Sequence, residues 1–410
     1  MKVLGLITEY NPFHFGHKYH LEKSMEITNS THSIALMSSS FVQRGEPSIV
    51  DKWTKAKMAI DNGVDLVIEL PFVYSTQTAE LFAYGAVNLL DKMNIVDSLC
   101  FGSEAGELEP LEKLAHIFVD EPPVYRAHLK HFLSLGFSFS ASRSKAIDEY
   151  YNSQEGDNST ILKGSNNILA IEYLKALYKL NSNIKPVAIK RIGSNYKDIE
   201  TIEGFASATS IRNKIFENGL ISVESLLPKE SFNALKEYKA LYNTFNRLEN
   251  YEQIFNYLLR TTNPDQLKEL LHMEAGLENR ILKTSEISLD INSILKSITT
   301  KRYPLTKIQR IFIHMLNNIN GKTINQLYGA TPAYIRVLGS NKKGFEILNK
   351  IKANSNINII TKYADYKNLN HPIIDRFLAF EEKATNIFFL GTQSELPIVN
   401  LDFTTTAYFK

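Results

Sequence analysis

The sequence predicts an α/β fold, a doubly wound parallel sheet, continued by a mainly α-helical C-terminal domain. Two patterns carry this reading. Over the first half, short apolar runs alternate with amphipathic stretches, as in a parallel sheet covered by helices. Beyond about Lys229 the strand-like runs thin out, and Leu, Lys, Asn and Tyr recur at helical spacing to about Lys352. The boundary is expected near 225–235, giving domains 1–228 and 229–410.

Val3 to Thr8 reads as a buried strand, with a helix over His17 to Ile27. Ser33 to Met37 is a second strand. Asp51 is placed to cap a helix over Lys52 to Asn62, which Gly63 stops in a left-handed turn. Leu66 to Glu69 is a third strand, closed by Pro71. Thr76 to Leu90 is helical, and Ser98 to Phe101 is a fourth strand ending at Gly102. A helical insertion spans about 108–160, broken by Pro122-Pro123 and ending in a polar loop, Asn152 to Thr160. Helix resumes from Asn166 to Leu180, and Val187 to Ile189 is a fifth strand. Ile357 to Thr361 and the last residues are candidates for further short strands. Five strands with right-handed crossovers place ligands at the C-terminal strand ends, where strand order reverses.

The bulk properties agree with a soluble globular protein: 410 residues, 44% hydrophobic, 22% charged, with room for two or three domains. The lone Cys100 excludes an intramolecular disulfide and a multi-cysteine metal site, and its apolar neighbours predict a buried core thiol. The apolar run at the N-terminus is too short for a signal peptide and meets Glu9, Asn11 and His14 at once. A cytoplasmic protein with no membrane or DNA partner is expected. The net charge of +2 is unevenly spread. Arg280 to Lys350 holds twelve Lys/Arg against three Asp/Glu, an excess of +9, so the remainder carries −7. Such a segment suits a polyanionic partner.

The segment Thr8-Glu9-Tyr10-Asn11-Pro12-Phe13-His14-Phe15-Gly16-His17 joins the first strand to the first helix. Gly16 lets the backbone approach a ligand closely. The helix mouth offers free N–H groups and a partial positive charge to phosphates. His14 and His17 can donate hydrogen bonds as charge builds on a leaving pyrophosphate, and an imidazole offers a charge adjustable near neutral pH. The same residues could instead be surface side chains at an ordinary helix start. A zinc site would need a carboxylate and a third partner that the spacing does not supply.

This strand–Pro-x-His-x-Gly-His–helix segment resembles the nucleotidylyltransferase superfamily, whose fold is of the Rossmann type. A second mark, Ser207-Ala208-Thr209-Ser210-Ile211-Arg212, resembles the phosphate loop of its small members. There Thr209 would cap a helix while Ser210 and Arg212 face the β- and γ-phosphates, although a Ser/Thr capping box with one exposed Arg would look alike.

A longer resemblance, over nearly the whole chain, is to the bacterial tRNA(Met) cytidine acetate ligase family. It is carried by Glu9 to His14, Gln43 to Pro47, Asp65 to Pro71, Phe101 to Glu104 and Asn166 to Leu169. Ala206 to Arg212, Thr300 to Tyr303, Ile308 to Arg310 and Tyr334 to Gly339 continue it. Ser165 departs from the pattern, where proline is expected. The resemblance implies that acetate attacks the α-phosphorus of ATP to give acetyl-adenylate and pyrophosphate. The wobble cytidine of elongator tRNA(Met) then takes the acetyl group and AMP leaves. Mg2+ is expected with ATP, with no ligand set visible. A small-molecule adenylyltransferase acting on a phosphorylated metabolite is the rival enzyme reading; an RNA-binding protein with an inactive nucleotide fold is the third.

On this reading His14 and His17 are catalytic. The ATP site takes Ile7, Thr8, Glu9, Tyr10, Asn11, Pro12, Phe13, His14, Phe15, Gly16, His17, Lys18, Tyr19 and His20. It is joined by Gly102, by Asn166 or Asn167 (one touching nucleotide, one capping a helix), and by Arg191 and Ile192, with Ser210 and Arg212 on phosphate. Gln43 and Arg44 are candidates for acetate or cytidine, although Arg44 could equally pair with Glu46. Lys52, Lys55 and Lys57 read as a solvated helix face. Lys301, Arg302, Lys307, Arg310, Arg336, Lys342 and Lys343, interleaved with Tyr303 and Tyr334, are candidates for tRNA contact. The alternative for that stretch is a helical domain with solvated charges.

Overall fold

A computed structural model describes residues 1–151, 161–191, 205–328, 334–394 and 398–410. Val3–Thr8 (β1) and His32–Ser38 (β2) are apolar on both faces because helices cover both, so neither strand alternates. They pair in parallel, and Leu66–Leu70 (β5) adds beside β2. The chain then crosses to the other side of β1, where Ser98–Ser103 (β6) and Lys185–Lys190 (β7) follow, all parallel. Strand order therefore reverses between β1 and β6. That is where a doubly wound sheet opens its ligand crevice. Phe41–Val42 (β3) and Glu46–Pro47 (β4) form a separate antiparallel pair beyond β2.

The five predicted strands are present, and the first helix runs over Phe15–Thr28. The Asp51 side chain accepts from Thr54 N and caps Lys52–Asp61, with Gly63 at a φ of 105° behind it. The helix expected over Thr76 to Leu90 runs over Ala79–Lys92, capped by Thr78, and a separate single turn, Phe72–Ser75, precedes it. The insertion forms three helices, Leu108–Asp120, Pro123–Ser134 and Phe139–Tyr151, broken at Pro122-Pro123 as expected. Its polar loop, 152–160, lies outside the described residues. Cys100 is buried, and burial raises its thiol to about 11.

The expected boundary gives way at the sheet. Tyr334–Ser340 (β8), from the C-terminal half, pairs antiparallel with β5, and Tyr408–Phe409 (β10) extends β8 in parallel. Asn358–Ile360 (β9) pairs the other end of β8. The C-terminal half thus completes the sheet as well as supplying helices.

A buried ion network locks this joint. Lys52 Nζ reaches Glu69 at 2.8 Å and Asp402 at 2.7 Å, and Arg336 Nη1 reaches the same two carboxylates at 3.0 and 2.5 Å. All four groups are buried. Two cations shared between two anions balance their charges inside the protein, where an unpaired one would cost several kcal/mol (roughly).

Candidate active site

The helix that follows β1 is capped by two histidines. His14 is the N-cap, its Nδ1 accepting from Gly16 N at 3.0 Å, while His17 Nδ1 accepts from His14 N at 3.3 Å. This is a capping box built from imidazoles. The two rings stack, centroids 3.8 Å apart and 30° from parallel. A nitrogen that accepts carries no proton, so in each neutral ring the proton sits on Nε2. Neither Nε2 has a partner among the described residues.

Burial lowers His14 to about 3, with Arg191 and Arg212 adding repulsion, and holds His17 well below its usual value. The expected charge, adjustable near neutral pH, is therefore corrected. Both rings are neutral donors, because the surrounding protein and its arginines disfavour a second proton. His20 is lowered to about 4 in the same way.

Gly16 serves this arrangement directly. A Cβ there would stand 2.8 Å from His14 Cε1 and 3.0 Å from its Nδ1, so glycine lets the ring fold back over the helix mouth. Tyr10 and Phe13 are buried behind His17, at 5.0 and 5.6 Å between ring centroids. Their side chains support the site rather than line it, and Tyr10 has a φ of 45°. The Asn11-Pro12 peptide is cis. Asn11 Oδ1 accepts from Ile49 N at 2.7 Å, tying the loop to the segment after β4. Ile7 and Thr8 end β1, with Thr8 buried; Phe15, Lys18 and Tyr19 are partly exposed, and Tyr19 meets Phe205 edge-on.

Arg212 reaches this loop from the second motif. Its Nη1 donates to the Asn11 carbonyl at 2.9 Å and its Nη2 to Glu46 Oε2 at 3.1 Å. Ser207, not Thr209, caps the helix Ala208–Asn218, accepting from Ser210 N at 3.2 Å. The position one turn ahead of Ile211 has the extended backbone a cap needs, whereas Thr209 is already helical. Ser210 is exposed.

On the β6 side, Arg191 N donates to Ser103 O at 3.0 Å, and its side chain lies across Gly102, where a Cβ would meet Arg191 Cγ at 3.0 Å. Arg191 Nη1 donates to Asn166 Oδ1 at 3.0 Å. Glu104 receives the N–H groups of Asn166 and Asn167 at 3.2 and 2.8 Å, so it caps the helix Ser165–Leu180. Asn167 is buried and spent on Ala105 N and Ile161 O; Asn166 faces the site beside Arg191. Ile192 lies outside the described residues.

Gln43 and Arg44 follow β3. Gln43 N donates to Glu9 Oε1 at 2.8 Å and its side chain to Gln77 O at 2.8 Å, a bracing role. Arg44 is exposed and does not pair with Glu46, whose carboxylate is taken by Arg212 and by Gln309 at 3.3 Å.

The solvated reading of the lysine helix fails for two of its three members. Lys52 belongs to the buried network. Lys55 is buried and donates to the carbonyls of Ser38, Ser39 and Glu9 at 2.7, 2.8 and 3.1 Å, stitching the end of β2 to the motif loop. Burial lowers its ammonium to about 7, while Glu9, Asp51 and Glu69 pull the other way. A signal existed: positions 52, 55, 56 and 59 share one helical face, and two of them are Ala. Lys57 is partly exposed and pairs with Asp61 at 2.9 Å.

The seven basic candidates for tRNA contact do not form one face. Arg336 is buried in the ion network and cannot meet a phosphate, and Arg310 is buried with Nη1 on Gln43 O at 3.3 Å. Lys342 and Lys343 follow the end of β8 that pairs with the start of β5, at the sheet edge opposite the histidines. Lys301, Arg302 and Lys307 remain together, the last two on Glu274 and over the Tyr303 ring.

The residues 1–398 match the family model described as HIGH Nucleotidyl Transferase. The chain is 45% identical over 405 residues, 98% of both chains, to the tRNA(Met) cytidine acetate ligase of Thermoanaerobacter sp. (strain X514). It is 43% identical over 394 residues, 95% of both chains, to the protein of that name from Clostridium perfringens (strain SM101 / Type A). The crystal structure of Thermotoga maritima TmcAL bound with alpha-thio ATP superposes with a TM-score of 0.94 at 33% identity, covering 100% of this chain and 99% of that one. The chain therefore belongs to the HIGH nucleotidyl transferase family, among the relatives named tRNA(Met) cytidine acetate ligase.

Proposed function

We propose that this protein is an ATP-dependent ligase that acetylates the wobble cytidine of elongator tRNA(Met) to N4-acetylcytidine. An acetate oxygen attacks the α-phosphorus of ATP, the bond to the β-phosphate bridging oxygen breaks, and pyrophosphate leaves. The cytidine N4 then attacks the acetyl carbonyl, loses a proton, and AMP departs. A conjugated exocyclic amine is a poor nucleophile, and a mixed anhydride supplies the activated acyl group it needs.

The observation that carries this reading is the pair of stacked, neutral imidazoles at a helix mouth, their Nε2–H groups without a partner among the described residues. Such preorganised donors act on charge as it develops at phosphorus, each worth on the order of 3–4 kcal/mol. Arg191 and Arg212 flank them as fixed cations for the triphosphate, with Arg44 exposed nearby. Magnesium would travel on the phosphate oxygens. No three His, Cys, Asp or Glu groups gather for a metal among the described residues, and Glu9 and Glu104 are occupied by backbone N–H groups. The protein is read as cytoplasmic; no helix among the described residues is long and apolar enough to cross a membrane.

The test is acetate-dependent exchange of labelled pyrophosphate into ATP, followed by tRNA-dependent release of AMP and mass analysis of the tRNA. Exchange without acetate dependence, or AMP joined to a phosphomonoester, would defeat the proposal.

A further inference from the structure

The tip of the helical insertion takes no part in the site described above, and its surface is unusual. From Pro122 to Ile147 there is no Asp or Glu, while Arg126, Lys130, Arg143 and Lys145 are cationic and His128 and His131 stand among them; Arg126 pairs with Glu121 at 3.7 Å. The inner face of the helix pair is anchored. Tyr125, Ala146 and Ile147 are buried, and Arg143 pairs with Glu172 at 2.6 Å. The outer face carries Val124, Leu135 and Phe139, each 58–59% exposed, with Leu133 and Phe137 at 41%. Lys145 Nζ sits 5.0 Å above the Phe137 ring and 5.7 Å from that of Phe132. Lys130 and Lys145 are exposed and have no carboxylate partner among the described residues.

Exposed aromatic rings interleaved with Lys130 and Lys145, which no carboxylate answers among the described residues, fit one kind of partner: a polyanion with exposed flat bases. A second copy of this chain fits poorly, because a two-fold contact centred on Lys130 and Lys145 would set these unpaired cations against their own copies. The insertion also leaves and rejoins the sheet at the nucleotide crevice. Ala105 N donates to Asn167 Oδ1 at 3.1 Å across its two roots.

We infer that the outer face of the insertion, centred on Phe137, Phe139, Lys130 and Lys145, docks unpaired nucleotides of the tRNA substrate. The rings stack on bases and the two lysines meet phosphates. This rests on the ligase reading above. Acetate-dependent pyrophosphate exchange, measured without tRNA, reports on that reading alone.

The experiment measures binding of unmodified elongator tRNA(Met) to the full-length protein by fluorescence anisotropy across a salt series. One variant combines K130Q with K145Q, the other F137S with F139S; all four positions are exposed, and unchanged exchange activity shows that each variant is folded. The lysine variant should bind at least about tenfold more weakly, its log–log salt slope shallower by roughly 1.5 for two lost phosphate contacts. The phenylalanine variant should lose about tenfold at an unchanged slope, since stacking releases no counterions. Wild-type tRNA affinity in both variants overturns the inference. So does a patch that instead governs self-association in sedimentation or capture on phosphatidylserine vesicles while tRNA binding stays intact.

Discussion

Arg212 Nη1 donates to the main-chain carbonyl of Asn11 across 2.9 Å, so the second motif clamps the loop of the first. The same guanidinium holds Glu46, and Glu46 accepts from Gln309 of the C-terminal half. One planar fork thus joins three stretches of chain around the crevice.

Arginine is needed there for its shape as well as its charge, since a lysine cannot serve two directed acceptors in one plane. Arg212→Lys should lower acetate-dependent pyrophosphate exchange by roughly 10²-fold, on the scale of losing one preorganised donor. Exchange within twofold of wild type would show that the clamp is irrelevant to chemistry.

His14 and His17 should leave no mark on the rate profile near pH 6.5. Both are neutral across the physiological range, His14 down to about 3. Stability behaves differently. The unfolded chain protonates His14 below about 6.5, while the folded chain refuses the proton until about 3. Stability present above 6.5 is therefore lost as pH falls through that interval. Denaturant midpoints at pH 7, 5 and 4 should fall more steeply for wild type than for His14→Asn. Parallel curves would contradict the assigned protonation state.

Lys55 should be indispensable to the shape of the motif loop. Lys55→Met leaves three carbonyl groups without a donor in the interior, at about 1–3 kcal/mol for each group not rescued by water. Thermal denaturation should register the loss, and the KM for ATP should rise because Glu9 is no longer held to Ser38 and Ser39. A variant with normal stability and normal KM would refute the role.

Arg336→Met removes one cation from a buried set of four and should cost roughly 3–5 kcal/mol. The tRNA affinity of whatever protein remains folded should be unaltered, measured well below its melting temperature. Weakened binding with unaltered stability would return Arg336 to the tRNA surface.

Much of the site was legible because its information is local. A strand, a six-residue loop and a helix mouth are consecutive in the chain, so the positions of His14, Gly16 and His17 followed from order alone. The five parallel strands were legible for a related reason: strands covered on both faces are apolar throughout, and that run survives in a bare sequence. The break inside the helical insertion was legible from Pro122-Pro123. Glu104, which caps the helix of Asn166 and Asn167, gives no sign of that task in the sequence, since its partners lie 62 and 63 positions away.

By itself, then, the chain determined the order of its elements and which residues stand at the mouth of its first helix. What only tertiary structure decided was the fate of charges. Lys52, Lys55, Arg310 and Arg336 have the same side chains as Lys301 and Arg302, yet the first four are buried and the last two are exposed. The energy of a cation depends on the carbonyls and carboxylates that surround it, and here those groups arrive from strands and helices distant in the chain. The placement of β8 has the same cause: an antiparallel partner for β5 exists only once the C-terminal half has folded back beside it.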